Sequence, residues 1–180
     1  QVTETPSALF YLVVGPLRMT PLTLILVPLA AILLVVDLAR AWRRGISARL
    51  TVLALGLAWI CGYVVAMSIS AKKGDRYLTP IFPMLDIVAA LALMAVVGWL
   101  GRLWRPLADR GGQAAASVGL VLLVALFWLP LAPHYGAYFN PLLGGGATAT
   151  WAFPFGQGEG LDLAAEYLNQ KPGAENLRVA

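Results

Sequence analysis

Lys72, Lys73, Asp75 and Arg76 put three cations and a carboxylate within five positions, between two long apolar runs. Cations at that spacing beside lipid suit one chemistry above others, the holding of a phosphate anion at headgroup level. An arginine fork gives paired donors and a lysine adds a point charge, and a water-poor boundary strengthens both contacts relative to bulk water. Asp75 either holds the Arg76 side chain or tempers the local charge. The plainer alternative is that these are flanking charges that snorkel to the interface and stop the helices sliding. The run continues through Tyr77, Leu78, Thr79, Pro80, Ile81, Phe82 and Pro83. Thr79 followed by Pro80 reads as an N-cap with proline at the first helical position, which would aim a positive helix end at the cations. Pro83 lies at the edge of the first turn and keeps the backbone there irregular, which at membrane depth requires burial or a cavity.

Further side chains extend the candidate site. Asp86 is a carboxylate inside an apolar run, about 10 Å along a helix that starts near Pro80. It should therefore face the bundle or a wet cavity. It reads equally as a functional carboxylate and as a neutral, hydrogen-bonded packing residue. His134, with Tyr135, Tyr138 and Asn140, offers the groups of a sugar or acceptor site, and also those of interfacial anchors. Glu159 stands in a glycine-rich stretch and reads either way. Cys61 is the single cysteine and His134 the single histidine, so there is no disulfide framework and no metal-ligand spacing. A divalent metal is not indicated.

The elements that must position these residues are membrane helices. Of 180 residues, 59% are hydrophobic and 12% charged, against about a quarter charged in soluble domains, and the mean hydropathy is +0.76. A span needs about 20 apolar residues to cross roughly 30 Å of hydrocarbon. Four such spans are expected, at 17–36, 50–69, 80–100 and 114–131, giving an all-α polytopic transmembrane helix bundle. Pro21 and Pro28 fall in the first and should kink it. Residues 1–16 read as an interfacial segment on the outer face, with Phe10 and Tyr11 at the boundary. Residues 132–180 read as an outer-face loop followed by a short amphipathic helix from Leu161, which opens a truncated soluble domain.

The net charge of +4 is topological and no nucleic-acid partner is implied, because the basic residues sit between apolar runs. Arg40, Arg43, Arg44 and Arg49 lie in one inter-span loop, and Arg102, Arg105 and Arg110 in another on the same side. The positive-inside bias puts both loops in the cytoplasm and the Lys72–Arg76 cluster outside. Phe155 to Gly160 is glycine-rich but follows no strand, which excludes a nucleotide-binding loop.

Phe10-Tyr11-Leu12, Leu17-Arg18-Met19-Thr20-Pro21-Leu22-Thr23, the run Lys72/Lys73-x-x-Arg76-Tyr77-Leu78-x-Pro80-x-x-Pro83, Tyr138 to Gly145 and Gly158 to Asp162 together resemble the later membrane core of glycosyltransferase family 39, of the GT-C class. That family includes protein O-mannosyltransferase-like and aminoarabinose-transferase-like enzymes. The resemblance implies a multi-pass enzyme of a bacterial or archaeal plasma membrane. Such an enzyme moves a sugar from a polyprenyl-phosphate carrier to an outer-face acceptor by displacement with inversion. It implies that Lys72, Lys73, Arg76 and Tyr77 hold the carrier phosphate as the leaving group. The acidic base of such enzymes lies in an earlier outer loop. Glu4 does not match that motif, so the chain is expected to be a part that is inactive alone. Asp86 departs from the apolar residue expected at its position. A transporter or a non-catalytic polytopic subunit, with the cluster as gate or anchor, is the other class the residues allow.

Overall fold

The computed structural model describes residues 8–70, 73–103, 109–132, 134–152 and 161–174. Lys72, Glu159 and the Arg105 part of the second basic loop lie outside the described residues. Among those described there are helices and turns and no strand. The chain is an all-α, apolar helix bundle, and four of its helical segments are long and apolar enough to cross a membrane.

The first helix, α1 (Phe10–Arg18), has nine residues and is too short to span. It is packed inside rather than laid on the boundary: Tyr11, Val14 and Leu17 are buried, so the expected interfacial position of Tyr11 is corrected. Apolar residues three and four apart give α1 one inward face. The Tyr11 hydroxyl accepts the Gly74 N–H at 3.3 Å.

The first span is α2 (Pro21–Arg44). Pro21 does not interrupt it but opens it, at a position whose N–H would have no partner anyway. Thr20 is the cap, its hydroxyl accepting from Thr23 N at 3.1 Å. Pro28 lies within the helix. Asp37 and Arg40, expected in a loop, are helical as well, and the helix stops only where Gly45 takes a φ of 79°, a left-handed conformation that glycine adopts without a Cβ penalty. A short link leads to α3 (Ala48–Ile69), capped by Ser47. The buried Asp37 carboxylate receives Arg49 Nε and Nη2 at 2.7 and 2.6 Å, which ties α2 to α3 across this turn.

The third span differs at its start from the sequence expectation. Residues Asp75–Ile81 form a 3-10 turn that runs directly into α4 (Phe82–Leu103). Pro80 and Pro83 lack the N–H groups that an α-ladder through this segment would use. Thr79 is therefore no cap, and its hydroxyl donates back to the Arg76 carbonyl at 2.7 Å. α4 packs most extensively on α2 and next on α3. Gly56 allows the close approach of α3 and α4, since a Cβ there would stand 2.8 Å from Val88 Cγ2. Leu53, Leu78, Ile81, Leu85 and Val88 fill the core between these elements.

The last span, α5 (Arg110–Trp128), is capped by Asp109 and has no buried residue among those described. Val121, Leu122 and Leu126 point outward, as suits a helix whose solvent is hydrocarbon. Three short 3-10 turns follow, then α6 (Gly145–Ala152) and α7 (Leu161–Asn169). The chain is an integral membrane protein, in which α2, α3, α4 and α5 alternate in direction. The starts of α2 and α4 and the ends of α3 and α5 thus meet at one end, with α1 and the 134–143 segment.

Candidate functional site

At that end the elements enclose a cavity of about 450 Å3, open on one side. It is lined by Arg18 and Met19 from the end of α1, Thr20 and Thr23 from the start of α2, and Asp75, Arg76 and Thr79 from the 3-10 turn. Phe82 and Asp86 of α4, Trp128 of α5, and Tyr135, Gly136 and Tyr138 complete it. Of the residues singled out in the sequence, Asp75, Arg76, Asp86, Tyr135 and Tyr138 are thus brought to one space. Lys73, Tyr77, His134 and Asn140 do not line it.

Arg18 builds the wall. Its Nη2 pairs with the Asp75 carboxylate, and its Nη1 donates to the carbonyls of Gly136 and of Tyr138, the latter at 2.8 Å. The guanidinium also lies 4.1 Å from the centre of the Phe139 ring. One side chain thereby ties α1 to the 3-10 turn and to the 135–139 segment, and its charge is consumed in doing so. The guanidinium partner of Asp75 is Arg18, not Arg76. Asp75 Oδ1 also accepts the Arg76 N–H at 2.8 Å, closing the first turn of the 3-10 segment.

Arg76 is different. Its side chain is exposed, it borders the cavity, and among the described residues no carboxylate lies within ion-pair distance of it. The Tyr77 ring lies under its guanidinium at 5.3 Å. That ring is otherwise half-buried against the core, and the Tyr77 carbonyl accepts from Tyr63 OH at 2.9 Å. Lys73 turns away, donating from Nζ to the Ser70 carbonyl at 2.9 Å, where it caps the end of α3. The expected cluster of phosphate-binding cations is therefore reduced, among the described residues, to Arg76 beside the cavity. The helix end nearest the space is that of α2 rather than of the third span, and its positive pole favours negative charge there.

Asp86 lies one turn into α4 and opens to the cavity. On the wall beside it, Thr23 Oγ1 lies 2.9 Å from Thr20 Oγ1. A hydroxyl has one proton to give, so one of this pair donates to the other.

The aromatic side is built by stacking. Trp128 lies flat on Tyr138, centroids 5.0 Å apart at 14°, and 6.0 Å from Tyr135. Tyr138 OH donates to the Met19 carbonyl at 3.4 Å, and burial pushes its phenol above the usual tyrosine range. Asn140 sits behind this wall, fully buried. Its N–H donates to the Leu17 carbonyl at 2.7 Å and its Oδ1 accepts from Leu142 N at 2.9 Å, while its Nδ2 has no partner among the described residues. Its place is that of a staple between the segment and α1. His134 faces Asp162 of α7 at 3.7 Å.

A smaller crevice of about 60 Å3 adjoins the cavity and shares Thr20, Trp128 and Tyr138 with it. Its remaining lining, Pro21, Leu22, Leu120, Leu123 and Val124, is wholly apolar and lies between α2 and α5. Polar cavity and apolar crevice thus share a wall. No group of histidine, cysteine and carboxylate side chains suited to a metal ion occurs among the described residues. No protein-family model, curated protein or solved structure matches this chain.

Proposed function

We propose that this chain forms the donor-binding part of a membrane glycosyltransferase that takes a sugar from a polyprenyl-phosphate carrier and passes it to an acceptor. The observation that carries the reading is the cavity itself: an arginine with no ion-pair partner among the described residues stands where a polar space of ligand size meets an apolar crevice at the ends of membrane helices. A phosphate seated on Arg76 gains charge-assisted hydrogen bonds strengthened by the low-dielectric surroundings. The same contacts stabilise the phosphate as a leaving group when the bond to the sugar breaks. The prenyl chain follows the crevice between α2 and α5 into hydrocarbon, and a volume of about 450 Å3 accommodates a phosphosugar.

Arg40, Arg43 and Arg49 cluster at the opposite end of the bundle, and Arg102 ends α4 there. The positive-inside bias supports a cytoplasmic place for that end and an outer-face place for the cavity, in what we read as a bacterial or archaeal plasma membrane. The resemblance to glycosyltransferase family 39 supports the same reaction class. Farnesyl phosphate binding to the protein in nanodiscs tests the reading. Arg76→Ala is expected to weaken it at least tenfold, about 1.4 kcal/mol, and Lys73→Ala to weaken it little. Equal affinity in wild type and Arg76→Ala would return the cluster to anchoring and favour a transporter or a non-catalytic subunit.

A further inference from the structure

The cavity holds two opposite charges that do not meet. Arg76 and Asp86 both line it, yet no ion pair forms between them, and Asp86 has no cation within ion-pair distance among the described residues. Charge inside a membrane-spanning helix is costly and is kept where it faces a wet space or a ligand. A carboxylate offers about four acceptor positions. Those of Asp86 open into a space whose other wall is built by Trp128, Tyr135 and Tyr138. Acceptor oxygens facing an aromatic wall match a ring that carries hydroxyls on its edge and C–H bonds on its face, a carbohydrate. They do not match the phosphate, which Asp86 would repel.

We propose that Asp86 is the specificity-determining residue of a sugar subsite in this cavity. Its carboxylate accepts hydrogen bonds from hydroxyls of the carried sugar, the Thr20 and Thr23 hydroxyls line the same wall, and Trp128 with Tyr135 covers the ring. The proposal rests on the reading of the cavity as a polyprenyl-phosphate-sugar site and adds to it which residue reads the sugar. It explains why the departure from an apolar residue at position 86 falls on the cavity-facing side of α4.

The test compares two probes, farnesyl phosphate and farnesyl-phosphoryl-mannose, on wild type, Asp86→Ala, Asp86→Asn and Arg76→Ala in nanodiscs. Wild type is expected to prefer the sugar-bearing probe by tenfold or more. Asp86→Ala should abolish that preference while binding farnesyl phosphate at least as tightly as wild type, because a repelling charge is gone. Asp86→Asn keeps one acceptor oxygen and should retain part of the preference, which also guards against a folding defect in the alanine variant. Arg76→Ala should lose both probes. If wild type and Asp86→Ala discriminate equally, or wild type does not discriminate, the sugar subsite is overturned while the phosphate site stands. If wild type binds neither probe, the donor-site reading fails and the subsite with it.

Discussion

Two arginine–carboxylate pairs stand at opposite ends of the bundle, and they do different things. At one end Asp37 and Arg49 are twelve residues apart and joined by two parallel hydrogen bonds. They close a tight helix–helix link. At the other end Arg18 and Asp75 are 57 residues apart, and they stand beside a cavity that also holds Arg76 and Asp86, neither of which has an ion-pair partner among the described residues. The pair there organises three segments that the chain itself does not connect. A satisfied charge holds the fold, and a charge without an ion pair at membrane depth is a candidate for function.

The most severe way to break this contrast is Arg18→Ala. It takes the guanidinium away from the Asp75 carboxylate, only 12% exposed, and from two carbonyls, and removal of one partner of a buried pair costs about 3–5 kcal/mol. Thermal unfolding in detergent should show the largest fall in Tm of any single change discussed. At the opposite end Asp37→Ala should cost less, about 1–3 kcal/mol, because Arg49 is 39% exposed and can turn to water. The same unfolding assay measures it, and farnesyl phosphate affinity should not change.

A smaller effect follows from Tyr138. Burial raises its folded-state pKa above the ordinary value of 10.0. The stability this contributes is therefore fully present below that value and lost as pH rises through the raised one. Tyr138→Phe should flatten the alkaline end of a stability–pH curve and leave the neutral region nearly unchanged, the weak 3.4 Å bond to Met19 being the only other loss.

The spans were the most legible part of the sequence, because twenty apolar residues in a row have few other uses. Their ends were less so. Asp37 and Arg40 look like loop residues, yet the bidentate contact from Arg49 lets α2 continue past them to Gly45. Tyr11 looks like an interfacial anchor and is core, because α1 is pinned by Arg18 rather than by lipid. Thr79-Pro80 carries a cap signature, but the prolines at 80 and 83 extend a 3-10 turn back to Asp75, and the cap that forms is Thr20-Pro21.

At the site, local clustering pointed to Asp75 and Arg76, and the apolar run around it to Asp86, but nothing pointed to Arg18 as the partner of Asp75. Arg18 reads as a single cation at the start of an apolar run. Its signal was Asp75, a carboxylate among cations that needed a partner from somewhere. Thr23 and Trp128 gave no signal, since hydroxyls and tryptophans are ordinary in membrane helices. Lys73 was misleading because a lysine at a helix end caps carbonyls as readily as it binds phosphate.

The central claim is that Arg76 serves a ligand and not the fold. It is tested most directly by measuring Tm and farnesyl phosphate affinity on the same nanodisc preparations of wild type and Arg76→Ala, with Arg43→Ala at the other end as the control. The account predicts an unchanged Tm for both variants, within the ±0.5 kcal/mol usual for surface substitutions, and a tenfold or greater loss of affinity for Arg76→Ala alone. A fall in Tm with affinity intact would contradict it and make Arg76 a structural charge like Arg18.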